Sequence, residues 1–385
     1  MRASQAASSY RCWAQIDLNA LGRNLAWIKR RVGAGTRILT VVKADAYGHG
    51  LRQIAAALMH GGTDVFGVAN LEEARSIRQI GAGWPILMLG ACLPNEVVSA
   101  IRDGVMPTLS SEAEAKRFST AALKLGKQIP VHVKVDTGMG RLGATEQEAT
   151  RLIQTISGLR GLRLEGVYSH YASADKDASQ SRAQRERFQK VLDQVTALGI
   201  SVPCVHANNS AGILFEPDTQ FNLVRPGLLV YGITPPSTRP LPQTAGDALH
   251  PVLSWNCRIG LVKEISRGTP LSYGATFVAR RRMRVATLTA GYGDGYPRSG
   301  SNQATVLIHG TRCRVLGQVT MDQMIADVSK VPSARVGDPV TLIGREKEES
   351  MTAAELAATC GSIPWEVLTS ITYRVPRLYH GAHAA

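Results

Sequence analysis

Val41-Val42-Lys43-Ala44-Asp45-Ala46-Tyr47-Gly48-His49-Gly50 begins as the end of a buried strand, turns polar, and runs through a Gly-rich turn toward a helix. A parallel α/β sheet keeps its chemistry at the carboxyl ends of its strands, and Lys43 stands at such an end. Burial disfavours an ammonium and lowers its pKa, which is what a lysine needs to condense with a carbonyl as the free amine. A lysine with a packed stem and a solvated head fits the same local pattern. The two readings part on whether the rest of the chain supplies partners for a bound carbonyl compound.

Outward from this stretch the pattern alternates. Leu21, Leu25, Ile28 and Val32 recur at helical spacing over 16–32, with Asn19 available as N-cap. Apolar strands are predicted at 37–44, 65–70, 85–90, 106–110, 130–136, 164–170, 204–208 and 223–230. The intervening helices carry start signals at Asn70-x-x-Glu73, Ser111-x-x-Glu114 and Thr145-x-x-Glu148, and stop signals at Gly61, Gly81, Gly104 and Gly126. About eight βα units over about 220 residues fit a closed parallel barrel better than an open doubly wound sheet.

The composition changes at 233–251, where four prolines fall within the first ten residues and neither a helix nor a central strand can continue. Beyond it, 252–266, 283–292, 304–320, 324–329 and 339–344 are β-rich. A short helix from Thr352 has Glu355 closing a capping box. The expected fold class is α/β. A tail over 1–13 precedes a (β/α)8 barrel over 14–245, and a mostly antiparallel β domain fills 246–385.

The 385 residues, 44% hydrophobic and 19% charged, describe a globular chain, and no apolar run reaches membrane-spanning length. The N-terminus lacks the layout of a secretory signal. The six cysteines show no C-x-x-C spacing and read as reduced, mostly buried thiols, not as a metal site or a disulfide frame. Together these features predict a cytoplasmic protein. The net charge of +14 is spread along the chain, with one cluster at Arg280, Arg281, Arg282 and Arg284 that reads as a solvated strand edge. No aromatic-basic platform accompanies the charge, so a nucleic-acid partner is not expected.

Residues just after the predicted strands gather chemistry: Lys43 and Tyr47 after the first, Asp136 to Arg141 after the fifth, His170 near the sixth, Asn209 and Ser210 after the seventh, and Arg225-Pro226-Gly227 on the eighth. Ser210 opens a helix and Gly227 permits close backbone approach, so the pair could cradle a phosphate, although an ordinary N-cap explains Ser210 alone. A lysine plus an anion cradle is the minimal equipment for pyridoxal phosphate.

The lysine decapeptide, Lys134-Val135-Asp136-Thr137-Gly138-Met139-Gly140-Arg141-Leu142-Gly143, Arg225-Pro226-Gly227, Ser272-Tyr273-Gly274, Gly291-Tyr292-Gly293-Asp294-Gly295-Tyr296 and Met321-Asp322-Gln323 together resemble the alanine racemase family, in order, from about residue 14 to about 379. The resemblance implies that Lys43 holds pyridoxal 5'-phosphate and, once released by substrate, serves as the base on one face. Tyr273 of a second subunit would be the base on the opposite face, in a homodimer with shared sites that racemises alanine and supplies D-alanine for peptidoglycan. Inversion needs a base on each face.

By the same resemblance Arg225 partners the pyridine nitrogen and, keeping its proton, leaves the ring a weakened electron sink. His170 supports Arg225. Arg141 contacts the cofactor phenolic oxygen and the substrate carboxylate, and the lysine matching Lys134 is often carbamylated to orient that arginine. Tyr47, Ser210, Gly227, Leu228 and Tyr373, with Asn209, match phosphate-binding positions. Tyr292 and Met321 match second-subunit residues at the substrate entrance, with Asp322 behind them. Thr320 stands where several members have cysteine, which bears on inhibitor sensitivity and substrate tolerance. Alternatives of the same fold are a serine or broad-specificity racemase, a related decarboxylase, which the arginine at 225 argues against, and a non-catalytic pyridoxal phosphate carrier.

Overall fold

The structure is a computed structural model that describes residues 9–216, 221–242 and 248–382. It divides into two compact units. One comprises Leu21–Ala46 and Leu51–His250; the other takes the residues up to Ala20, Tyr47–Gly50, and those from Pro251 onward. The domain junction expected at 245/246 lies outside the described residues.

Strand β1 (Cys12–Asp17) opens the described elements. The first unit then supplies β2 (Arg37–Val41), β3 (Val65–Val68), β4 (Ile86–Met88), β5 (Met106–Leu109), β6 (Ile129–Lys134), β7 (Leu162–Tyr168), β8 (Cys204–His206) and β9 (Leu223–Val224). All eight lie within or overlap the predicted segments. They pair in parallel in the order β8-β7-β6-β5-β4-β3-β2-β9, with registers such as Thr40 opposite Phe66 and Val133 opposite Val167. The barrel is nearly closed. Between β8 and β9 the seam is held by the Arg225 amide, which donates to the Asn208 carbonyl (2.8 Å), and by Asn222, whose side chain accepts from the Val205 amide (2.8 Å) and donates to the Pro203 carbonyl (2.8 Å).

The strands are mostly apolar because a parallel sheet is covered on both faces, with Thr40, Thr108, His132, Lys134 and His206 as buried polar exceptions; β3 and β5 are buried along their whole length. The helices between them start where a side chain takes the orphan N–H groups of the first turn. Asn70 accepts from the Glu73 amide (3.0 Å), Ser111 from the Glu114 amide (3.3 Å), and Thr145 with Glu148 forms the reciprocal capping box. At the other end Gly126, at φ 63°, takes the left-handed conformation that terminates the helix Glu112–Lys124. One cap differs from expectation. The helix Leu18–Val32 is started by Asp17, which accepts from the amides of Asn19 and Ala20 (2.8 and 3.0 Å), while Asn19 accepts from the Ala382 amide.

The second unit contains β10 (Leu253–Ile265), β11 (Pro270–Leu271), β12 (Phe277–Val278), β13 (Met283–Leu288), β14 (Thr305–Ile308), β15 (Thr311–Leu316), β16 (Met324–Asp327), β17 (Pro339–Glu346), β18 (Glu349–Met351) and β19 (Arg377–His380). The larger sheet runs β18-β17-β14-β15-β16-β13-β10-β1-β19, antiparallel except for β1 beside β19. This corrects the expected start of the barrel at residue 14. Ala14 through Ile16 pair with Trp255 through Leu253, because β1 buries Cys12, Trp13, Ala14 and Ile16 as a strand of this sheet.

The expected solvated strand edge holds only in part: Arg280, Arg281 and Arg282 are exposed just before β13, whereas Arg284 lies in β13, an inner strand between β10 and β16. Arg284 donates to the carbonyls of Val331, Pro332 and Ala334, and Arg282 pairs with Glu264. Thr352 caps the helix Ala353–Thr359 by accepting from the Glu355 amide (3.0 Å), but the expected capping box is not closed, because the Glu355 carboxylate pairs with Arg312; a second helix, Pro364–Ser370, begins with proline at its first turn. All six cysteines are unpaired and five are buried. Among the described residues no helix is long and apolar enough to cross a membrane.

Candidate active site

Strand β2 ends at Val41, and Lys43 begins a short helix, Lys43–Gly48, that is wound left-handed: Ala44, Asp45, Ala46 and Tyr47 lie at φ 53–54° and Gly48 at 77°. For L-residues each such position costs about 1–2 kcal/mol, so the turn must be held by its surroundings. Glu73 does this at the start, accepting from the amides of Ala44 (2.6 Å) and Ala69 (2.7 Å). Asp45 accepts from the Leu51 amide (2.7 Å), and the Ala46 amide donates to the Val42 carbonyl (2.9 Å). Lys43 is thereby fixed at the strand end, partly buried, with its pKa lowered by burial and then by Arg141.

The other residues at the carboxyl ends of the strands converge on the same charge field. Lys134, the last residue of β6, is 3% exposed, and burial, Arg141, Arg225 and Lys43 bring its pKa down to about 8. Asp136 organises the loop that carries Arg141: its carboxylate accepts from the amides of Gly138, Met139 and Gly140 at 2.9–3.1 Å. His170 is held neutral by burial and by the neighbouring cations Arg225, Lys134, Arg141 and Lys43. Lys43, Lys134, Arg141 and Arg225 thus contribute to one positive field, opposed by the carboxylate of Glu73 at Lys43 and of Asp136 at Lys134. Such a site calls for an anion.

Arg225 follows β9 and is buried. Its Nη2 donates to the carbonyls of Ser169 (2.7 Å) and Ala207 (2.9 Å), and its Nη1 to His206 Nδ1 (2.7 Å). His170 Nδ1 lies 3.2 Å from Nη2, so the expected contact exists, but His206 is the shorter partner. His206 was not legible as a site residue, being one polar side chain at the end of a short apolar strand. Tyr168 stacks on His206 (4.6 Å between rings, 3° apart) and carries Arg225 over its face at 5.0 Å. Burial lowers the Arg225 pKa to about 10, which still leaves it a cation at neutral pH.

Asn209, not Ser210, caps the helix Ser210–Phe215. Asn209 accepts from the Gly212 amide (2.9 Å) and its Nδ2 lies 3.2 Å from His170 Nε2. The Ser210 hydroxyl is instead turned to the loop after β9, accepting from the amides of Gly227 (2.9 Å) and Leu229 (3.4 Å). Leu228 sits buried between them. The ordinary-cap explanation for Ser210 therefore fails, and its hydroxyl hydrogen remains available to a ligand oxygen.

The remaining predicted residues belong to the second unit. Tyr47 is buried, and burial raises its phenol pKa. Residues 47–50 are held there by Arg377, which donates to the Gly48 carbonyl (3.0 Å), and by the Tyr379 hydroxyl on the His49 carbonyl (3.1 Å). Tyr273 is 75% exposed on a turn whose Ser272, Gly274 and Ala275 all have positive φ, between buried Leu271 and Ala279. Ser272 anchors that turn by donating to the Gln318 carbonyl (2.7 Å).

Tyr292 and Met321 are brought together by the Tyr292 amide on the Thr320 carbonyl (3.0 Å) and the Gly293 amide on the Met321 carbonyl (2.8 Å). Arg374 fastens the same loops through Asp322 (2.7 Å) and Asp294 (3.8 Å). Tyr292, Met321 and Tyr373 are exposed, Tyr373 almost completely.

Residues 16–235 match the alanine racemase N-terminal domain and residues 252–379 the alanine racemase C-terminal domain. A curated alanine racemase of Halothermothrix orenii is 40% identical over 368 residues, 95% of this chain and 96% of its own. The structure of alanine racemase from Clostridium difficile 630 superposes with a TM-score of 0.91 at 32% identity, covering 97% of both chains. That of alanine racemase from Bartonella henselae, described with covalently bound pyridoxal phosphate, gives 0.86 at 30% identity over 96% of this chain and 100% of its own.

Proposed function

The chain belongs to the alanine racemase family of isomerases, and from that premise we propose that it interconverts L- and D-alanine with two bases, Lys43 and the partner subunit's Tyr273. The observation that carries this reading is the lysine at the end of β2, its ammonium disfavoured by burial and by Arg141, in a positive field that Arg141 and Arg225 share with Lys134 and that favours an anionic ligand.

The residues present fit pyridoxal 5'-phosphate. Lys43 offers an amine for its carbonyl. The Ser210 hydroxyl, which accepts from the Gly227 amide, keeps its own hydrogen for the phosphate, joined in the family pattern by Gly227, Leu228, Tyr47, Tyr373 and Asn209. Arg225 offers a donor that does not give up its proton for the ring nitrogen. When bound, that group supplies the electron-withdrawing ring that makes the substrate α-proton acidic.

Lys43 then moves a proton at the α-carbon on one face and Tyr273 on the other. Two bases on opposite faces return the proton from the side it did not leave, so configuration inverts. Arg141 holds the substrate carboxylate, with Met321 and Tyr292 of the second subunit closing the entrance. His170 backs Arg225. We place the homodimer in the bacterial cytoplasm, supplying D-alanine for peptidoglycan; six unpaired thiols suit a reducing compartment.

The test is incubation of the enzyme with separate L-amino acids in deuterated water, following α-proton exchange and chirality together. Alanine should exchange with inversion. Tyr273→Phe should cripple exchange from one enantiomer more than from the other. Equal, mild losses from both enantiomers would overturn the two-base assignment.

A further inference from the structure

Below Arg225 the barrel interior holds a chain of polar groups that continues past the ring partners already described. His206 Nδ1 is 2.7 Å from Arg225 Nη1, and His206 Nε2 is 3.1 Å from Nδ1 of His132, a β6 residue on the same face as Lys134. A guanidinium carries donors only, so His206 Nδ1 accepts, and the proton of the neutral ring is on Nε2. That proton can be received only by an unprotonated His132 Nδ1, and so the second ring carries its own proton on Nε2 as well.

Both rings are neutral. They are buried near Arg225 and Arg37, with no carboxylate among the described residues acting on either ring, and burial followed by those cations lowers His132 to about 3. Tyr168 fixes the planes, stacking on His206 and meeting His132 edge-on, with its hydroxyl at 2.9 Å from Thr108 Oγ1.

The space for the second ring is made by a glycine on the neighbouring strand. A Cβ on Gly166 would stand 2.4 Å from His132 Nδ1 and 2.9 Å from the Cys204 carbonyl. Only hydrogen fits there.

We infer that His206 and His132 are positioning residues for Arg225, both locked as the neutral Nε2–H tautomer, with Gly166 as the floor that admits the second ring. The relay presents Arg225 with an acceptor on the side away from the barrel mouth. A flipped tautomer would set a donor against a donor and push the guanidinium off its place. For catalysis this rests on the reading that Arg225 faces the cofactor ring nitrogen; the tautomers themselves do not depend on it.

The tautomers are read by nitrogen-15 spectra of histidine-labelled protein, with and without cofactor. His206 and His132 should both show an unprotonated Nδ1, and a protonated Nδ1 on either ring overturns the relay. His132→Asn places a carboxamide oxygen where Nδ1 stood, so the His206 Nε2–H should keep its hydrogen-bonded shift and kcat should hold within about threefold, whereas His132→Leu leaves that Nε2–H without its acceptor, so the hydrogen-bonded shift and about tenfold in kcat should be lost. Gly166→Ala should behave as His132→Leu does while leaving both rings in the sequence.

Equal activity of the Asn and Leu variants overturns the positioning role, even where Gly166→Ala fails to fold. A wild-type enzyme that does not racemise alanine yet shows both tautomers would refute the reading of Arg225 and leave the relay standing.

Discussion

Lys134 shows what a site built for an anion costs when only protein is counted. Its ammonium is 3% exposed, and its pKa of about 8 lies below the ordinary 10.5 because burial comes first and three cations follow. Below pH 8 folded and unfolded chains both hold the proton and the penalty is full. Between 8 and 10.5 the unfolded chain keeps a proton that the folded one has lost, so stability rises with pH; above 10.5 the penalty is gone. Lys134→Met should therefore stabilise the cofactor-free protein at pH 7 by on the order of 2 kcal/mol. That gain should fade toward pH 10.5, as read from urea midpoints. A gain of the same size at both pH values would mean that packing, not charge, is responsible. Lys43, Arg141 and Arg225 were legible as candidate site residues because they fall at or just after the ends of predicted strands, within motifs that resemble the family's. His206 and His132 were not, because a histidine inside a strand carries no signal until its neighbours on other strands are known.

Among the elements, the turn after β2 departs furthest from its sequence. Gly48 and Gly50 announce a turn, but nothing in Lys43-Ala44-Asp45-Ala46-Tyr47 announces left-handed winding, since alanine favours the right-handed helix. The cost is met by contacts distant in sequence, chiefly Glu73 on the Ala44 amide. Ala44 is exposed at φ 53°, so Ala44→Gly removes a Cβ clash and should be neutral or stabilising. Ala121→Gly in the right-handed helix Glu112–Lys124 should cost about 1 kcal/mol. Thermal or urea unfolding of the two variants compares the signs, and a loss at Ala44 matching that at Ala121 would argue against the left-handed turn. The helix starts at Asn70, Ser111, Thr145 and Thr352 were legible because a cap is a local contract between residues three apart. β1 was missed because its partners, β10 and β19, lie more than 200 residues away.

For the whole molecule, Tyr273, Tyr292, Met321 and Tyr373 lie exposed on the surface of one protomer. In a homodimer with shared sites, as proposed, inactive Lys43→Ala and Tyr273→Phe proteins complement each other. Random mixing makes half the dimers mixed, and each mixed dimer has one site with both bases intact. Co-refolded protein should then recover about a quarter of wild-type activity, measured as D-alanine formed per active-site equivalent. No recovery beyond the two parents would place both bases in one subunit. The basic charge has a structural share as well: Arg284, Arg239 and Arg377 each bind two or more backbone carbonyls.

The sequence by itself determined the alternation of strands and helices, the eight-strand count of the barrel, the β character after residue 252, and the identity of the lysine at the end of β2. Each of these is written in local periodicity, capping or residue type. Only the tertiary structure decided that β1 joins the antiparallel sheet, that the chain winds left-handed after Lys43, and that Asn209 frees Ser210 from capping. It also decided that Arg225 rests on a pair of histidines. These depend on which distant backbone groups and charges share a buried space, and a buried donor or cation must find its partner wherever the fold places one.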